Sequence, residues 1–308
     1  MSPDRLATLS DQLVLAAILL YLAAMIGYAL ELAFGRVTET VAERRLVTVG
    51  GPSDDLPEPA PAPEPAAWAP KAGLIGTAAM WLGWAANVGA TLTRGLAVDR
   101  WPWGNMYEFV VAMLLAAVTV FLLLQLRYPV RFLGAFVGVV AAIGLGFAVR
   151  VLYTQAGPVV PALDSYWVAI HVTAAVAASG LFIVGAAAAA LFLVRKEGPS
   201  RLPSRADLER IAHRVIVIAF PIWTFAVISG ALWADKAWGR YWGWDPKEVW
   251  AFITWVAYAA YLHARATAGW KGKAAMIVSL IAFACLMFNL VGVNIFIGGL
   301  HSYADVNK

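Results

Sequence analysis

SYWVAIHVTAAVAASGLFIVGAAAAALFLV, residues 165–194, runs for thirty residues without an Asp, Glu, Lys or Arg. The hydrocarbon core of a bilayer, about 30 Å thick, is crossed by roughly 20 apolar residues in an α-helix. At about 1.5 Å per residue this stretch exceeds that need by some 15 Å, so its first turns can stand in or above the headgroups. Seven further stretches meet the same requirement: roughly 11–34, 72–92, 107–126, 131–149, 211–234, 247–264 and 274–297. The composition agrees, with 61% apolar and 14% charged residues among 308, against about 45–50% and about 25% in soluble domains. The fold class read from this is all-α: a polytopic integral membrane protein of about eight transmembrane helices. The first stretch is too long for a signal-peptide core and lacks a basic start and an A-x-A site, so it is read as retained.

The loops set the orientation. With the N-terminus outside, 15 of the 23 cations fall on inner loops, the excess that the positive-inside rule requires, and both termini lie outside. Three parts follow: residues 1–34, a first transmembrane helix with an outer N-terminus; 35–71, a cytoplasmic linker that is Pro/Ala-rich and acidic from Gly50 to Pro70; and 72–308, a seven-helix membrane domain. Local start signals occur at Asn105 with Glu108, at Asp164, and at Asp245-Pro246-Lys247-Glu248, which joins a capping carboxylate, a proline at the first helical position and a glutamate at the third. The single cysteine, Cys285, excludes an intramolecular disulfide, a CxxC pair and a zinc–thiolate site. A net charge of +4 is too small for a nucleic-acid-binding face.

Six of the 14 tryptophans, Trp233, Trp238, Trp242, Trp244, Trp250 and Trp255, fall within 23 residues around the connection between the sixth and seventh helices. An interfacial aromatic belt is one reading. The concentration in one loop, with Gly239 and Gly243 allowing tight folding, fits a surface for a large planar ligand such as a porphyrin. Only four histidines occur. His171 begins the fifth helix and His301 follows the eighth, both at the level of the tryptophan loop, where two imidazoles could ligate haem iron or could simply be solvated. His263, near the inner end of the seventh helix, is either a functional intramembrane group or a side chain snorkelling to the cytoplasm beside Arg265. His213, in LERIAHRV, is expected to be solvated. Asp245 could polarise a ligand, but its fit to a capping box explains it without one. Lys247 and Arg240 could pair haem propionates.

The stretch from Ala219 to Lys273, containing WGRYWGWDPKEVW, followed by FNLVGVNIFIGGLHSYA (288–304), resembles the CcsA/ResC (CcsB) family of system II cytochrome c biogenesis, haem-handling proteins with a tryptophan-rich WWD domain. WPWGNMYEF (101–109) is similar to the family's outer motif before the third helix. The likeness covers about residues 72–304 and is strongest from 163 on; the first helix and linker match nothing in the family.

The resemblance implies that His171 and His301 ligate haem b beside the loop at 233–255, with Trp238, Trp242, Trp244 and Asp245 around it. It further implies that His263 holds haem on its way across the membrane. The implied partners are a ResB-type subunit and an apocytochrome c with CxxCH, together with a possible thiol-reducing protein. The implied place is a bacterial cell membrane with the loop on the outer side. No residue of this chain is required as acid, base or nucleophile, and synthase activity would arise only jointly with the partner. The rivals are a system I-like haem-handling protein, a b-type membrane electron carrier, whose facing histidine pairs are not found here, and a transporter whose tryptophans are only interfacial.

Overall fold

A computed structural model describes residues 1–36, 64–163, 165–196, 198 and 200–301. Eight helices succeed one another among these residues. They are α1 (Pro3–Phe34), α2 (Ala69–Val98), α3 (Met106–Arg127), α4 (Gly134–Val151, led in by a 3-10 turn, Arg131–Leu133), α5 (Tyr166–Val194), α6 (Arg205–Trp238), α7 (Pro246–Thr267) and α8 (Lys273–Met287). The last continues through a π turn, Phe288–Gly292, into a final turn, Val293–Phe296. Most of the expected 35–71 linker, residues 37–63, lies outside the described residues, as does the expected helix start at Asp164. Ser165 caps α5 instead, its hydroxyl accepting from the Trp167 N–H at 3.3 Å.

The helices outrun their apolar cores because capping chemistry sets their ends. α6 covers 205–238 where apolarity alone suggests 211–234; Ser204 accepts from the Asp207 N–H, and Gly239, at φ 69°, closes the other end in the left-handed conformation. Six helices are long and apolar enough to cross a membrane: α1, α3, α4, α5, α6 and α8. The chain is a multi-pass membrane protein with no strand among its described residues. α2 and α7 are less apolar, α7 because Lys247, Glu248, His263 and Arg265 interrupt it. α5 is the most enclosed span and packs on α3, α6 and α8, while α1 lies chiefly along α2. Large apolar side chains such as Leu19, Ile75, Leu123 and Phe225 point outward, as lipid requires.

Side-chain bonds define two ends of the bundle. At one, Asp11 of α1 meets Arg94 of α2 and Tyr153 after α4, and Arg94 and Arg100 hold Glu108 of α3. At the other, Glu31 of α1 pairs with Arg131 before α4 at 2.9 Å, and Glu209 of α6 pairs with Arg265 of α7. Successive helices therefore alternate in direction, and Met1 and His301 lie at the same end. The Glu108 cluster is the main polar anchor of that end. Arg94 is 2% and Glu108 3% exposed; Arg100 grips Glu108 with two guanidinium nitrogens at 2.8 and 3.0 Å and donates to the Gly157 carbonyl. Buried charges of this kind persist only when paired; the one Arg94 nitrogen without a hydrogen bond, Nη1, lies 3.6 Å from Asp11. The cluster fixes the 101–105 loop through Gly104, whose N–H donates to Glu108 at 2.7 Å.

Candidate functional site

At the end holding Met1 and His301, a cavity of ≈ 160 Å³ opens between α3, α5, α6, α7 and the end of α8. His171 reaches it from the first turns of α5. Its Nδ1 lies 2.8 Å from the Ala226 carbonyl of α6. A carbonyl only accepts, so Nδ1 carries the proton and, in the neutral ring, Nε2 carries the lone pair. Gly230 makes this approach possible, since a Cβ there would stand 2.8 Å from the imidazole.

His301 arrives from the segment after α8 and is oriented in the same sense by a stronger partner. Its Nδ1 donates to Asp245 Oδ2 at 2.8 Å. That carboxylate also accepts from the Leu300 N–H at 2.7 Å and the Lys247 N–H at 3.2 Å, while Glu248 reaches back to the Asp245 N–H at 3.0 Å to complete a capping box. Asp245 thus caps α7, as its sequence context suggested, and in addition clamps a histidine. Burial opposes its charge, yet the bonds from His301, Leu300 and Lys247 together hold its carboxyl below the ordinary carboxylate value.

Trp233 touches both imidazoles, stacking with His171 at a centroid distance of 6.1 Å and meeting His301 edge-on at 5.5 Å. Trp238 packs against His301 at 4.9 Å and Trp233 at 4.8 Å. Trp242 also lines the cavity. The other expected tryptophans divide. Trp244 packs edge-on to Trp242 at 5.8 Å but is 67% exposed, does not line the cavity, and sits at φ 59°, a left-handed conformation that a bulky side chain seldom holds. Trp250 rests on Phe288, and Trp255 donates from its indole to Thr224, so both serve helix packing.

His263 is not brought to this site. Sixteen residues beyond Lys247 on α7, it stands about 24 Å further along the helix, exposed at the opposite end. His213 departs from the expectation of simple solvation: it is half-buried within α6, 3.3 Å from the Tyr261 hydroxyl. The reason is that Tyr261 of α7 packs against this turn of α6, its ring 6.0 Å from the imidazole.

Other lining residues were not foreseen. Trp103 and Trp223 add indoles from α3's leading loop and from mid-α6; the Trp103 Nε1 is buried without a hydrogen-bond partner among the described residues. Asn289, 4% exposed, lines the cavity with an unpartnered Oδ1. A lone amide in an apolar run was a signal available in FNLVG. Among the described residues no cluster of His, Cys, Asp and Glu could hold a bare metal ion. Two imidazoles set apart with indoles around them suit iron carried in a planar macrocycle.

The fold and site thus define a multi-pass membrane protein with a tryptophan-walled cavity flanked by two oriented histidines. Residues 103–301 match the family model of cytochrome c assembly protein. The chain is 35% identical over 227 residues to cytochrome c biogenesis protein CcsA of Chlamydomonas reinhardtii, covering 70% of this chain and 64% of that protein's length. To the protein of the same name in Synechococcus elongatus it is 32% identical over 287 residues, covering 76% and 87%. The chain belongs to the cytochrome c assembly family, and its likeness to CcsA/ResC proteins holds. A solved structure of cytochrome c haem lyase CcmF shares the fold, with a TM-score of 0.63 and 18% identity over 94% of this chain and 47% of that one.

Proposed function

We propose that this protein receives haem b, moves it to the outer face of a bacterial cell membrane and presents it there for covalent attachment to the CxxCH of an apocytochrome c. It does so with a ResB-type subunit, as one half of a system II synthase, and a thiol reductant keeps the client's cysteines reduced. All eight helices span: α2 and α7, at 30 and 22 residues, are long enough for a core of about 30 Å. The end bearing the cavity and both termini faces outward, because Arg195, Arg201, Arg205, Arg210, Arg214, Lys271 and Lys273 gather at the other. The haem-handling domain is 72–308, joined by the 35–71 linker to the first helix, residues 1–34.

One observation carries the reading: two histidines from different elements, each bonded through Nδ1, share Trp233 at one cavity. Ligating histidines are commonly oriented in this way by a carbonyl or carboxylate on the second nitrogen. His171 and His301 are the axial ligands, with Asp245 holding His301; Trp238 and Trp242 bear on the ring, and Trp244 guards the rim. His263 ligates haem on its way from the inner side. The protein's contribution is position: it fixes the ring so that client thiols meet the vinyl groups and add across them. The client's own histidine then replaces one imidazole and product leaves.

Co-expressed with its partner, His171→Ala or His301→Ala should abolish holocytochrome c; maturation retained in both variants contradicts the assignment. His263→Ala should deplete haem from the purified complex, and an unchanged Soret band counts against transit by that residue.

A further inference from the structure

The cavity holds a lysine that makes no ion pair among the described residues. Lys247 lines it, half-buried, and its Nζ donates to the carbonyls of Asn289 at 2.8 Å and Leu290 at 3.4 Å. Both belong to the π turn of α8, where the wider winding leaves carbonyls to serve a side-chain donor. Those partners are neutral dipoles, and among the described residues no carboxylate makes an ion pair with Lys247. Of the two nearby acids, Asp245 is engaged by His301 and Leu300, and Glu248 spends its Oε2 on the N–H groups of Gly243 and Asp245 with Arg240 4.0 Å away, while its Oε1 has no hydrogen-bond partner among the described residues. Beside Lys247 stands Asn289, 4% exposed, whose Oδ1 has no hydrogen-bond partner among the described residues. A cation without an ion pair in a largely apolar cavity is costly unless something anionic completes it; the Asn289 Oδ1 beside it is an acceptor that calls for a donor.

We propose that Lys247 and Asn289 form a subsite for a carboxylate of the cavity's ligand, one of the propionates on the haem reading, on which this inference rests. The ammonium has a third donor to offer an anion, and the Asn289 side chain, once turned over, would present its N–H groups where its unpartnered oxygen now stands. The subsite fixes rotation of the ring in its own plane. Haem carries its propionates on one edge and its vinyls toward the other, so anchoring the acidic edge at the junction of α7 and α8 turns the vinyl-bearing part away from Lys247, toward the client. Axial ligation alone cannot do this, since it leaves the ring free to turn about the iron–nitrogen axis.

The test is a Soret titration of the full-length protein, with its partner subunit, using ferric haem and haem dimethyl ester. Wild type should bind haem about tenfold or more tighter than the ester, the scale of a charge-assisted hydrogen bond. In Lys247→Met that preference should fall to within about twofold, and Lys247→Arg should restore part of it. Asn289→Asp, close in shape, should weaken haem while sparing the ester, and it serves also if Lys247→Met does not fold. An equal preference in wild type, Lys247→Met and Asn289→Asp overturns the subsite and leaves haem binding standing. Failure of wild type to bind either porphyrin overturns the haem reading itself.

Discussion

The cavity is bordered by two helix starts built to one plan and used differently. At α3, Asn105 caps by accepting from the Glu108 N–H, and Glu108 takes the Gly104 N–H. At α7, Asp245 caps and Glu248 takes the Gly243 N–H. Each has an indole-rich approach, a glycine and a glutamate at the third helical position. In the first, two arginines saturate the glutamate and join it to α1, α2 and the α4–α5 connection. In the second, the nearest guanidinium is 4.0 Å away, the cap carboxylate spends itself on His301, and Lys247 has only carbonyls. Where charges pair with one another the motif braces the fold; where one is left without an ion pair, it has capacity left for a ligand.

The largest expected effect would break that contrast at its braced side. Glu108→Gln leaves Arg94 and Arg100 without their buried partner and should cost about 3–5 kcal/mol, read as a large drop in thermal stability of the purified protein. Glu248→Gln should cost about 1 kcal/mol, the scale of a lost cap bond. Equal losses in the two would erase the distinction. Next comes Asp245→Asn. Asparagine caps as well as aspartate, so α7 should keep its start, but His301 loses its carboxylate and haem affinity should fall about 10–100-fold in spectral titration. Gly230→Ala is milder. The new methyl group displaces the His171 ring, costing about 1 kcal/mol, or roughly fivefold in haem affinity, while alanine's better helix propensity keeps the melting temperature nearly level. The smallest effect concerns pH. Because the Asp245 carboxyl sits below its ordinary value, its stabilising contribution is complete above the unfolded value of about 3.9 and is lost as pH falls through the lower folded one. The stability gap between wild type and Asp245→Asn should be constant from about pH 7 to 5 and close only on further acidification below about 4; a gap that closes near neutrality would contradict this origin.

Much of the fold was legible because lipid imposes a length. Each apolar run of about 20 residues had to be one helix, and eight helices lie over the eight runs. The ends were less legible: Ser204 and Gly239 extend α6 beyond its apolar core, and the half-burial of His213 comes from Tyr261 of α7, which only tertiary structure brings to it. At the site, His171, His301, Trp238 and Asp245 were readable from residue type and position. The sorting of tryptophans was not, since spacing along the chain does not reveal which face of α7 meets α6 or α8, and so Trp250 and Trp255 went to packing. Trp103 and Trp223 come from distant sequence, and only tertiary structure gathers them. The π turn that aims two carbonyls at Lys247 has no signature in FNLVG beyond its isolated asparagine.

The central claim is that His171 and His301 hold one iron between them. Electron paramagnetic resonance of the ferric, haem-loaded complex tests it most directly. The account predicts a low-spin signal in wild type, conversion to high spin in His171→Gly and in His301→Gly, and return to low spin when imidazole is added to either. A low-spin signal unchanged in both variants would contradict it.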